Sequence, residues 1–209
     1  MTDQPNDHTF DVLVVGGGPA GAATGYWLAK AGHDVCIVER KLFPREKTCG
    51  DGLTPRAVAQ LTDMGLADGL TKYHRYQGLR ATAHGKTLEL TWPSHPVYPS
   101  HGYIVRRRDL DQMVAEHAVA AGATLWQGAE ALEPVVERGF VRGALVQRKD
   151  SKDVSTVRAR YVVVADGANS RFGRALGIAA RRSGPTARRS AGTGRARCTP
   201  NRGSSRRST

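Results

Sequence analysis

The stretch from Asp11 to Arg40, DVLVVGGGPAGAATGYWLAKAGHDVCIVER, constrains this chain more than any other. Val12 to Val15 are apolar without polar alternation, which is the pattern of a strand buried on both faces of a parallel sheet. A glycine-rich turn follows at once, with Gly16, Gly18 and Gly21 in G-x-G-x-x-G register. Gly16 permits the tight turn out of the strand, Gly18 lets a pyrophosphate approach the backbone, and Gly21 lets the next helix pack close. That helix is expected from about Ala20 to Ala31, entered through Pro19 and ended by Gly32, with its free N–H groups and positive dipole end aimed at the phosphates. A second buried strand, Val35 to Val38, delivers Glu39 and then Arg40. Glu39 stands 23 positions after Gly16, against roughly 20 for a ribose-binding acid. A carboxylate there accepts hydrogen bonds from a ribose diol and repels a 2′-phosphate, which selects FAD or NAD over NADP. Glycine-rich turns alone are common punctuation. Strand, turn, helix, strand and acid in order within one βαβ-sized window make a dinucleotide site the expected reading.

The bulk numbers narrow the partners. A chain of 209 residues holds one good-sized domain, or one and part of a second. Its net charge of +12 invites a nucleic-acid reading, but residues 181–209 hold nine arginines and no acid, which leaves only +3 on the rest. No specific nucleic-acid partner is therefore expected. Cys36, Cys49 and Cys198 are widely spaced and form no CxxC pair, so neither a metal site nor a disulfide framework is expected, and a reducing cytoplasm is the default. The polar start MTDQPNDHTF is unlike a signal peptide, residues 1–9 are expected to be disordered, and no uncharged apolar run is long enough to span a bilayer. Peripheral contact with a membrane surface stays open.

Beyond Arg40, residues 41–53, KLFPREKTCGDGL, read as a long loop beside the cofactor site, where loops tend to be functional. Thr54 then caps a helix with Pro55 at its first position, Ala57, Val58, Leu61 and Met64 on one face, and Gly65 as its stop. The run FPREKTCGDGLTPRAVAQL, placed after a fingerprint ending in VER, resembles the geranylgeranyl reductase family of flavoproteins, in particular the actinobacterial members that reduce the isoprenoid side chain of menaquinone. The resemblance implies an FAD cofactor and a segment folded over the flavin, with Cys49, Gly50 and Asp51 lining its pocket and Cys49 as a candidate catalytic contact. Glycines at 50 and 52 agree in kind, because they let backbone approach a flat ring.

Residues 78–92 alternate around His84-Gly85 and are expected to form a β-hairpin with Leu88, Leu90 and Trp92 on one face. The family resemblance places part of a substrate-binding sheet here, at about 75–105, with Pro-rich loop to Gly102. A helix follows from about Asp109 to Ala121, with Leu110, Met113, Val114, His117, Ala118 and Ala121 on one face, and His117 reads as a satisfied core histidine. The pattern Arg107-x-x-Leu110-Asp111 resembles a flavoprotein signature whose arginine contacts FAD, while Arg106 and Arg108 read as solvated. Strands are expected near 124–127 and 129–136, with the family placing Ala131 close to the adenine, and then a hairpin of Phe140 to Gln147 with Ser155 to Ala159. Tyr161 to Ala165 read as a separate buried strand ending in Asp166-Gly167, before a helix starting near Ser170. This ADGANS element resembles the Asp-Gly element of FAD-dependent hydroxylases and their reductase relatives, and stands where open α/β sheets bind ligands.

The expected architecture is thus α/β: a Rossmann-like FAD-binding (GR2-type) domain over residues 10–180, with an inserted β-rich substrate-binding portion, incomplete at the C-terminus. Residues 181–209 contain no Leu, Ile, Val or aromatic residue, and the sequence reads them as a disordered, out-of-frame tail on a truncated homologue. The function expected from the resemblance is reduction of an isoprenoid C=C bond by FAD, with an isoprenoid lipid as substrate and an external electron donor, NAD(P)H or another, left open. The alternatives are an aromatic hydroxylase on the same scaffold and a non-catalytic fragment.

Overall fold

The computed structural model describes residues 7–151 and 153–178. The basic segment 181–209, expected to be disordered, lies outside them. In chain order the elements are β1 (Asp7–Val15), α1 (Pro19–Lys30), β2 (Val35–Glu39), β3 (Gly52–Leu53), α2 (Pro55–Asp63), α3 (Ala67–Leu70), β4 (His74–Tyr76), β5 (Gly78–Ala83), β6 (Lys86–Thr91), β7 (Gly102–Ile104), α4 (Arg107–Ala120), β8 (Thr124–Gln127), β9 (Ala129–Glu137), β10 (Phe140–Arg148), β11 (Val154–Val164) and α5 (Arg171–Ala175).

The main sheet has the order β8-β2-β1-β11-β10-β9. Its first four strands are parallel, and β10 and β9 continue it as an antiparallel meander. The apolar runs of β1 and β2 supply both faces. Val12, Val14, Val35 and Ile37 face one buried cluster with residues of α1, α2 and α4, while Leu13, Val15, Cys36 and Val38 face a second with Ala144, Val146, Val157 and Phe172. Burying each such side chain contributes about 1.5–3 kcal/mol before the entropy of ordering it. α1 lies hard against the sheet because it carries glycine where it crosses. A Cβ on Gly21 would stand 1.8 Å from the Gly16 carbonyl oxygen, and one on Gly25 would stand 2.4 Å from Ile37 Cδ1. α4 packs beside α1, where the His117 ring stacks on Tyr26 with centroids 4.5 Å apart and its Nε2 lies 2.6 Å from the Met64 carbonyl, the satisfied core histidine expected.

Two expectations are corrected, and a third is met except at Trp92. Residues 7–9 belong to β1, not to a disordered terminus: β1 pairs with β11 from Asp7↔Thr156 to Val15↔Val164, and the ladder satisfies their backbone. Ser155 to Ala159 and Tyr161 to Val164 are not two strands but parts of the single strand β11, which stops one residue before Ala165 and whose end is not fully buried, since Tyr161 is 66% and Val164 38% exposed. The hairpin β5–β6 forms with His84 and Gly85 in the left-handed region (φ 51° and 72°), but Leu88 and Leu90 are exposed, and Trp92 lies past β6, tilted toward Tyr76. A three-stranded sheet β3-β7-β4 stands beside the hairpin, and together they make up the β-rich portion between residues 52 and 104.

Candidate functional site

The strands β2, β1 and β11 are adjacent and parallel, so their carboxyl ends present Glu39, Gly16 and Asp166 side by side. This is where open α/β sheets form ligand crevices. A cleft of about 320 Å³ opens there, within the roughly 300–1,000 Å³ of small-molecule sites. It is lined by Gly16, Gly18, Pro19 and Ala20 of the turn, by Glu39 and Arg40, by Arg107 and Ala131, and by Asp166 and Gly167. Gly16 takes φ 102°, and a Cβ there would meet the Ala165 carbonyl oxygen at 2.6 Å, so the turn excludes any side chain. Gly18 is the extended N-cap of α1 and no side chain caps it, which leaves the first turn open to an anion. Gly21 holds α1 against this turn from behind, as its spacing predicted.

Glu39 is buried and already partly engaged. It accepts hydrogen bonds from Gly17 N (2.9 Å) and Lys41 N (3.0 Å), and Arg45 Nη2 lies 3.4 Å away. A carboxylate has about four acceptor positions, so one stays available to a ribose hydroxyl. On the opposite wall Asp166 Oδ2 accepts from Arg171 N (2.9 Å) and Phe172 N (3.3 Å), while its Oδ1 is buried without a partner. An orphan carboxylate oxygen on a cleft wall suits a ligand hydroxyl donor. Glycine cradle, uncapped helix and two hydroxyl acceptors together fit a sugar-bearing dinucleotide.

Arg107 reaches the cleft from the first turn of α4. Its Nε and Nη2 form a fork with Asp111 at 2.8 and 3.1 Å, and Asp111 is fully buried. Burial pulls the guanidinium pKa down, but the hydrogen bond and charge of Asp111, aided by Cys49, outweigh it and raise it above its ordinary value. Arg106 is exposed, as expected, and Arg108 is exposed over two fifths of its side chain, at 42%. Cys49, Gly50 and Asp51 do not line the cleft. Cys49 is exposed, and Asp51 accepts from Arg107 N at 3.1 Å through its side chain and from Val105 N at 2.8 Å through its carbonyl. The segment thus stands one residue out from the cleft, with Arg107 between.

Sequence reasoning missed Arg45, Arg171 and the second role of Asp111. Arg45 Nη1 also reaches Asp111 Oδ2 at 3.1 Å, so one buried carboxylate holds two guanidiniums. The Arg107-x-x-Leu110-Asp111 pattern contained the signal for Asp111, whereas Arg45, in an aperiodic charged loop, had none.

Comparison with known proteins agrees with this geometry. The FAD binding domain family matches residues 9–194. The chain is 43% identical over 171 residues to a menaquinone reductase of Mycobacterium tuberculosis (strain ATCC 25618 / H37Rv), covering 82% of this chain and 41% of the relative. It is 36% identical over 172 residues to digeranylgeranylglycerophospholipid reductase 1 of Methanopyrus kandleri, covering 81% and 42%. Among solved structures, a geranylgeranyl bacteriochlorophyll reductase-like protein of Thermoplasma acidophilum superposes with TM-score 0.69 at 30% identity over 82% of this chain and 42% of that one. A myxobacterial chondrochloren halogenase does so with TM-score 0.74 at 25% identity over 80% and 39%. The chain spans about two fifths of the length of these relatives. By the family match over residues 9–194 and the crevice built at its strand ends, this chain belongs to the FAD-binding domain family.

Proposed function

We propose that this chain is the cofactor-gripping part of a flavin-dependent reductase that saturates a C=C bond in an isoprenoid chain of the geranylgeranyl or menaquinone type. The observation that carries the cofactor half is the convergence of Gly16, Gly18, Glu39 and Asp166 on one cleft at adjacent parallel strand ends. The substrate half is supported by the reductase relatives, at 43% and 36% identity against 25% for the halogenase. A hydroxylase of the same fold matches at only 22% identity, which ranks the aromatic hydroxylase alternative below the reductase.

Bound FAD supplies the hydride chemistry. In this proposal the turn at Gly16 and Gly18 seats the pyrophosphate, Glu39 accepts from the adenosine ribose, Ala131 lies by the adenine, and Asp166 Oδ1 takes a ribityl or ribose hydroxyl. Arg107, locked by Asp111, carries the segment Cys49, Gly50 and Asp51 to the edge of the site. Cys49 there is the proposed contact to the ring or the substrate, supported by its exposure and by the tie of the neighbouring Asp51 to Arg107 N. The lipid substrate and an external electron donor remain part of the same proposal. Among the described residues no helix is long and apolar enough to cross a membrane.

Titrating the purified chain with FAD tests the cofactor half. Saturable quenching of flavin fluorescence is expected, weakened at least about tenfold in Glu39→Ala, as for loss of one charge-assisted hydrogen bond. A wild-type chain that leaves flavin fluorescence unchanged would favour the non-catalytic fragment.

A further inference from the structure

Arg45 is the most enclosed cation of the cleft lining, and nothing in the dinucleotide fingerprint accounts for it. Its side chain is only 9% exposed, and it is clamped between two acids, with Nη2 3.4 Å from Glu39 Oε2 and Nη1 3.1 Å from Asp111 Oδ2. The guanidinium lies over the Phe43 ring, 5.2 Å from its centroid, and its Nη2 is the nearest atom to the space beside Gly18, 3.5 Å from where a Cβ would stand. Its Nε is buried and has no hydrogen-bond partner. A buried guanidinium N–H left unmatched costs free energy, and evolution tolerates it where a ligand completes it. The position beside Gly18 decides the chemistry of that ligand, because Gly18 is where backbone opens toward a diphosphate. A planar guanidinium presents paired donors to phosphate oxygens, which an ammonium does not.

We infer that Arg45 is a phosphate ligand of this cleft. Its free Nε–H, with one Nη, donates to the pyrophosphate of the dinucleotide seated on Gly18, while Asp111 keeps the guanidinium in place and Glu39 turns to the ribose. The inference rests on the dinucleotide reading above and adds to it a residue that discriminates phosphate-bearing from phosphate-free ligands. Arg45 is thereby a specificity residue, not only a strut tying the loop 41–53 to the sheet.

The test compares ADP with adenosine by calorimetric titration, alongside FAD by fluorescence, on the wild-type chain, Arg45→Gln and Arg45→Lys. Lysine keeps a cation between Glu39 and Asp111 and guards against simple unfolding. The expected result is about a 10- to 100-fold loss of ADP and FAD affinity in Arg45→Gln and a partial loss in Arg45→Lys, with adenosine affinity unchanged within about twofold. Equal losses for ADP and adenosine in Arg45→Lys would make the role structural and overturn the inference. Unaltered ADP affinity in both variants would overturn it too, while leaving the cofactor reading intact. A wild-type chain that binds neither ADP nor FAD would instead overturn the cofactor reading, and the inference with it.

Discussion

Asp111 stabilises this site from beneath: fully buried, it pairs with Arg107 at 2.8 Å and with Arg45 at 3.1 Å. Replacing it with asparagine leaves two guanidiniums facing a neutral amide in a dry environment. Asp111→Asn is expected to lower unfolding free energy by about 3–5 kcal/mol, measured by urea denaturation, and a loss below about 1 kcal/mol would contradict the geometry. The two described cysteines make an opposite pair. Burial, then the charge of Asp34, pushes the Cys36 thiol up to about 12 from 9.0, whereas Cys49 is exposed. An alkylating reagent near pH 8 should therefore label Cys49 and spare Cys36 until the chain is unfolded, as peptide mass mapping will show. Because the folded thiol holds its proton where the unfolded one releases it, Cys36 also removes stability as pH rises from 9.0 toward 12. Glu39 was legible in the sequence, because its spacing from Gly16 is a consequence of local βαβ geometry. Arg45 was not, because its burial depends on Asp111, supplied by a helix far along the chain.

At the scale of elements, the approach of α1 to β1 decides whether the phosphate turn exists. Gly21 meets backbone, the Gly16 carbonyl oxygen, which cannot swing aside as a side chain can. Gly21→Ala is expected to cost about 3 kcal/mol and to weaken FAD binding together with the melting temperature; a variant with wild-type melting and weakened binding would separate the two. The first two strands, α1, α2 and α4 were readable because their apolar period matches their burial. β11 was not readable as one strand, because Arg158 and Arg160 interrupt its apolar pattern. Pairing with β1 on one side and β10 on the other carries it through that interruption, since a ladder needs backbone and not hydrophobicity. The amino-terminal residues 7–9 escaped the sequence reading for the same reason.

Across the molecule as a whole, the β-rich portion shows an apolar face with nothing packed on it among the described residues. Leu79 opposes Leu90 and Ala81 opposes Leu88 across the hairpin, and the three leucines are 53%, 50% and 57% exposed. Contiguous exposed apolar surface promotes association. Leu88→Lys with Leu90→Lys is expected to reduce light scattering of concentrated protein while leaving FAD affinity within about twofold, as the hairpin does not line the cleft. Scattering equal to wild type would show that another surface drives association. β11, finally, is a single rod shared by two structures: its early residues anchor the meander through β10, and its end sets down Asp166 on the cleft wall. A nucleotide that grips Asp166 therefore loads a strand whose other end lies outside the crevice, paired with β10, which lines none of it.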